Sequence, residues 1–192
     1  MKHLLLTTIA AVVLVGCGPP EPPDISIHEA VGTGNIEAVK QHLDAGTDVN
    51  SRAGLNQTPL DYTEKISLKT AKKEIADLLR KCGGKHSSIY EAAKGGDLEG
   101  IKEFLAAGVD PDEKTGFTVG RTPLCVASTK EVAELLIAKG ADVNTVVINS
   151  GTPLHYAVQR GYKEIAELLI NKGADINLYK RGVSETPLNR AN

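Results

Sequence analysis

The chain has no tryptophan, and only two phenylalanines and five tyrosines stand among its 192 residues. So few rings leave no row of stacking platforms for nucleobases and little material for a cage around a large ligand. Lysine and arginine (22) do not exceed aspartate and glutamate (24), so the basic excess that a nucleic-acid surface needs is missing too. Of the three cysteines, none sits in a CxxC pair, and the sequence holds no HExxH, no glycine-rich phosphate loop and no nucleophile elbow. No catalytic residue, metal-ligand set, cofactor or small-molecule substrate is therefore expected. With 41% apolar and 24% charged residues, the chain is suited to packing rather than to disorder.

What it does contain is repetition. The tripeptide TPL begins at Thr58, Thr122, Thr152 and Thr186, and two degenerate copies begin at Ile25 (ISIHEA) and Ser87 (SSIYEA). Units thus start near 25, 58, 87, 122, 152 and 186. A glycine follows each second segment, at Gly46, Gly83, Gly108, Gly140 and Gly173. Within a unit, Thr152 is a helix N-cap and Pro153 suits the first helical position, where a missing N–H costs nothing. Gly161 permits a tight turn into a second helix, on which Ile165, Leu168 and Leu169 share one face at i, i+3 and i+4. Gly173 supplies a left-handed end. Helices this short are marginal in water, so each pair must bury its stripe against the next pair.

TPLHYA at 152–157 followed by GADIN at 173–177 resembles the ankyrin repeat, whose signature is T-P-L-H-x-A recurring about every 33 residues. The resemblance implies an all-α solenoid of stacked helix-turn-helix units with hairpin or loop fingers, covering residues 25–192. It further implies a non-catalytic scaffold that binds a protein partner through its fingers and concave helix face.

The amino terminus has a different character. MKHLLLTTIAAVVLVGC has a basic start at Lys2, an apolar run from Leu4 to Val15 and small residues before Cys17, as in a secretory signal. LVGC at 14–17 resembles the lipobox of bacterial lipoproteins, which implies removal of residues 1–16 and acyl (palmitate-type) chains on Cys17. The protein would then be anchored in a bacterial cell envelope rather than spanning it; Gly18 after the cysteine implies the outer membrane, facing the periplasm. GPPEPPD, together with Cys17 forming residues 17–24, reads as an extended polyproline tether. Losing Lys2 leaves 21 basic against 24 acidic side chains, still without a nucleic-acid footprint.

The position after TPL holds His28, Asp61, Tyr90, Cys125, His155 and Asn189. Equivalent atoms in stacked helices lie about 10 Å apart, too far for one zinc ion; the resemblance implies that the histidine at this position serves local hydrogen bonding between units. His42 replaces an aliphatic residue in a second helix and is expected to be satisfied and half-buried; His86 falls in a linker with no expected role. Two repeat steps separate Cys82 from Cys125 by roughly 20 Å, beyond the roughly 7 Å that a disulfide tolerates, so no bridge is expected. The basic run Lys65, Lys69, Lys72, Lys73, Arg80, Lys81 and Lys85 reads first as a solvated face paired with Glu64, Glu74 and Asp77, and second as a contact for anionic headgroups.

Departures from the repeat are where function is sought. Unit two carries the insertion EKISLKT, and its end, RKCGGKHSS, lacks the D-x-N finger, which makes 82–88 a seam between a two-unit and a four-unit block. Later fingers are apolar: Phe117 and Val119, then Val146, Val147 and Ile148, then Leu178 and Tyr179, rimmed by Lys114, Lys180 and Arg181. They either pair finger against finger or form a partner-binding patch comprising Phe117, Val119, Val146, Val147, Ile148, Leu178, Tyr179 and Arg181. After SETPLNRAN no second helix follows for unit six, so the open end is covered by further sequence, a partner or a second copy. An alternative reading is a regulatory or immunity subunit that inhibits or protects a periplasmic enzyme. A hydrolase or metal protein is the remaining class, and no residues support it.

Overall fold

A computed structural model describes residues 21–114, 120–147 and 151–178. Among them the chain forms short α-helices in pairs and no sheet. The pairs are α1 (Ile27–Thr33) and α2 (Ile36–Asp44), α3 (Pro59–Tyr62) and α4 (Lys69–Lys81), and α5 (Ile89–Gly95) and α6 (Leu98–Ala106). Next come α7 (Pro123–Val126) and α8 (Lys130–Ala138), then α9 (Pro153–Arg160) and α10 (Lys163–Asn171). First helices stack in chain order, α1 on α3, α3 on α5, α5 on α7 and α7 on α9. Second helices follow, α2 on α4, α6 on α8 and α8 on α10.

Local chemistry sets each start and stop. At α9 the Thr152 hydroxyl accepts the His155 N–H at 3.4 Å and Pro153 opens the first turn. Gly161 then turns left-handed at φ 69°, returning its N–H and that of Tyr162 to the last carbonyls. Gly173 ends α10 in the same way at φ 89°. Unit four departs from this scheme: α7 stops at Val126 because Ala127 is extended (φ −48°, ψ 122°), and the Ser128 N–H crosses to the Ala93 carbonyl at 3.2 Å. The insertion of unit two becomes a 3-10 turn, Thr63–Lys65, ahead of α4, the longest of these helices.

Apolar packing divides at the expected seam. One cluster runs from Ile27 to Leu79 and includes Val39, Leu60 and Ile75; a second runs from Ile89 to Ala174 and includes Ile101, Leu124, Leu136, Leu154 and Leu169. Leu168 is buried in the second cluster, with Phe104 and Leu135 packed on it, so the stripes of α6, α8 and α10 adjoin in chain order.

Among the described finger residues, isolated antiparallel bridges join Ala53 with Gln57 and Val147 with Gly151. Each Asp-x-Asn or Asp-x-Asp begins with an aspartate that accepts the N–H two residues on: Asp48 from Asn50 at 2.9 Å, and Asp110, Asp142 and Asp175 from Asp112, Asn144 and Asn177 at 2.8 Å. The asparagine then clasps the next unit. Asn50 donates to the Gly83 carbonyl and accepts from Lys85 N–H, while Asn144 donates to the Gly173 carbonyl and accepts from Asp175 N–H.

Unit three has Asp112 at this position. Its carboxylate accepts the Asp142 N–H at 2.9 Å but has nothing to donate to the next glycine carbonyl, and its Oδ1 is buried without a partner. Burial, with Asp110 and Asp142 nearby, holds this carboxyl above its usual range. A folded pKa raised above the unfolded one makes the ionised group a liability at neutral pH. Asp112→Asn restores the donor and removes the charge, so it should stabilise the protein by about 1 kcal/mol, read as a higher urea midpoint at unchanged slope.

Candidate interaction surface

Rigid turns carry the finger tips. In AGLN, residues 53–56, Gly54 (φ 57°) and Asn56 (φ 63°) are left-handed, and Arg52 donates to the Asn56 carbonyl at 2.9 Å. Leu55 stands between them, 90% exposed. In later fingers Val146 is 38% and Ile176, between Asp175 and Asn177, is 42% exposed. Leu55 and Ile176 are finger residues that the sequence reading did not single out; the turn-forming Gly-x-Asn around Leu55 was the available signal.

The other expected contact residues divide. Val147 is 2% exposed and packs with Cys125 and Tyr156, so its inclusion in the surface is corrected here. The bridge to Gly151 fixes the alternation that sends Val146 out and Val147 in. Leu178 is half-buried, its N–H on the Asp175 carbonyl. Phe117, Val119, Ile148, Tyr179 and Arg181 lie outside the described residues, as does Cys17. Behind the tips, the Arg121 guanidinium lies 5.4 Å from the centre of the Tyr156 ring.

The ladder after TPL joins neighbouring units. His28 Nε2 donates to the carbonyls of Ser51 (3.0 Å) and Gln57 (3.2 Å) in the next finger. His155 Nδ1 instead accepts the Thr152 N–H at 3.1 Å, within its own unit. Cys125 is buried beside the Thr122 hydroxyl and burial pushes its thiol up; Cys82 is exposed, and both are free thiols. His42 is buried with both nitrogens engaged, by the Ile25 carbonyl at 2.7 Å and the Thr47 hydroxyl at 3.1 Å. No helix among the described residues is long and apolar enough to cross a membrane, and no group of three side chains there is arranged to hold a metal ion.

His86 overturns its sequence reading. It is buried, not idle: Nδ1 donates to Asp61 Oδ1 at 2.7 Å, and Nε2 lies 3.4 Å from Asp97 Oδ2. Arg80 holds the same Asp97 oxygen through two N–H groups at 3.0 and 3.1 Å, and Asp97 Oδ1 caps α6 through Gly100 N–H. Burial alone would lower the His86 pKa, but the two carboxylates outweigh it and raise it. Asp97 is depressed first by the adjoining imidazole. Burial opposes the ionisation of Asp61, yet bonds from His86, Ser87 and Thr58 hold it below its ordinary value. Beside this group, between the end of α4 and α6, lies a cleft of about 670 Å³ lined in part by Arg52, Arg80, His86, Asp97 and Phe104.

Residues 89–180 match the family described as ankyrin repeats, three copies. The fold is an ankyrin-repeat solenoid. Similar proteins include bovine (Bos taurus) cyclin-dependent kinase 4 inhibitor B, 37% identical over 83 residues, 42% of this chain and 62% of that protein. The chicken (Gallus gallus) nuclear factor NF-kappa-B p105 subunit is 32% identical over 147 residues, 71% of this chain but 15% of that one. A fowlpox virus (strain NVSL) ankyrin repeat protein, FPV230, is 28% identical over 146 residues, 70% of this chain and 74% of its own. The chain thus spans less than two thirds of the first two relatives. Ankyrin repeats in general mediate protein–protein interaction.

The contrast between adjacent valines is directly testable. Val147→Ala opens a cavity against Cys125 and Tyr156 and should cost about 2 kcal/mol, whereas Val146→Ala should change stability by less than about 0.5 kcal/mol in the same urea titration.

Proposed function

We propose that this chain is a non-catalytic ankyrin scaffold, displayed on a bacterial envelope lipoprotein, that captures a protein partner with its finger tips and concave helix face. The observation that carries the reading is Leu55, almost wholly exposed on a turn that two left-handed residues and an Arg52 bond hold in place. An apolar side chain presented on a preorganised turn loses little entropy on entering a partner's pocket. Val146 and Ile176 are further exposed apolar side chains in later fingers. Phe117, Val119, Ile148, Leu178, Tyr179 and Arg181 belong to the same proposed patch by sequence.

The envelope location rests on the apolar leader and LVGC at 14–17, with Cys17 as the lipidated residue and 18–24 as the tether; the outer membrane is favoured. A second reading is an inhibitory or protective subunit for a periplasmic enzyme. It is favoured by the similarity to a protein named as a kinase inhibitor.

Photoreactive residues placed at 55 and 146 should crosslink one partner in cells, while the same residue at 170, on exposed Ile170 of a second helix, should not. Adducts from position 170 alone would transfer the binding surface to the convex side. Cys17→Ser should move the protein from the membrane pellet to the soluble fraction; retention in the pellet would refute the lipid anchor.

A further inference from the structure

The two apolar clusters do not merge across residues 82–88. The step between them is also where successive second helices meet least, α4 against α6, with the cleft opening between them. Polar contacts cross there instead. Asn50 holds Gly83 and Lys85, the Thr58 hydroxyl donates to the Lys85 carbonyl at 2.7 Å, Arg80 of α4 pairs with Asp97 of α6, and exposed Lys85 meets exposed Glu103. Most of these partners are backbone groups, fixed charges or exposed pairs. The exception is His86, whose side chain is sealed from solvent between a carboxylate of each block.

We propose that this seam is a pH-sensitive clasp: protonated His86, gripped by Asp61 from the amino-terminal block and Asp97 from the carboxy-terminal block, locks the two blocks together, and loss of its proton loosens them.

The groups that face the ring come from every neighbouring element. They are Asp61 from α3, Glu64 from the 3-10 turn, Arg80 from α4, and Asp97 from the cap of α6. Lys72 already neutralises Glu64 at 2.6 Å, and Arg80 neutralises one carboxylate of the pair. With His86 charged, the Asp61–His86–Asp97–Arg80 set balances at zero. With His86 neutral it carries one uncompensated negative charge beside the buried Asp61 and imidazole, and opening the seam to solvent relieves it. Gly95 lies against the ring: a Cβ there would come within 3.2 Å of its Cε1, so glycine leaves the room that the imidazole occupies.

The sign follows from linkage. His86 has a folded pKa above its unfolded value near 6.5, so its contribution is complete below about pH 6.5 and disappears as pH rises through the higher folded value. The two aspartates are depressed, and their contribution is lost only in acid, below about pH 4. Between those limits the clasp is shut.

Two measurements on the full chain decide the matter. Titrating the His86 ring proton by NMR in the folded protein should give a midpoint above 6.5. Amide exchange at Ser87, whose N–H binds Asp61, should show protection that falls about tenfold or more between pH 6 and pH 9 after correction for intrinsic rates. In His86→Gln, which can donate to Asp61 but never carries charge, that fall should vanish, with protection low throughout. A folded-state midpoint at or below 6.5, or the same pH-dependent loss of protection in His86→Gln, overturns the clasp.

Discussion

Helices of four to nine residues do not hold their shape alone in water, and most of the helices here are no longer than that. Everything else in the molecule follows from the need to share shelter. Leu124, Leu136, Leu154 and Leu169 are buried in one cluster that runs through successive units, and burial of such a side chain is worth about 2 kcal/mol. Threonine-proline starts and left-handed glycine ends keep the pairs in register, so the apolar stripes meet. The asparagine of one finger, bonded to the backbone of the next, repeats that register at the other edge of the stack.

Shelter is not uniform along the stack. Unit two ends in CGGKHSS where the other described units place an Asp-x-Asn or Asp-x-Asp finger, and apolar continuity stops there. A buried ion group does the work of the missing stripe. Such groups are demanding, because each member left without its counter-charge costs far more than a lost surface pair. The proposed clasp would make this seam a place where pH reaches the fold.

Much of this was legible in the residues. The TPL register, the turn glycines and the D-x-N spacing act within one unit, so sequence displays them directly, and the seam at 82–88 was visible as a finger that is not there. What escaped depends on stacking. His86 finds Asp61 and Asp97 across 25 and 11 positions, and nothing local marks a histidine between glycines and serines as buried. In VV at 146–147 both residues are apolar, so the sequence cannot say which faces in; the bridge to Gly151 decides it. The short α7, ended by extended Ala127, escapes for the same reason: the Ser128 N–H binds the Ala93 carbonyl of the preceding unit.

The fingers join the units through their asparagines, while Leu55 and Val146 project from them exposed and are available to another molecule. The claim on which this rests is that neighbours, not individual units, supply stability. Native-state hydrogen exchange on Leu136→Ala tests it most directly. Protection should fall in α6 and α10 by nearly as much as in α8 itself, by about 2 to 5 kcal/mol at the most protected amides. A loss confined to α8, with α6 and α10 protected as before, would contradict it.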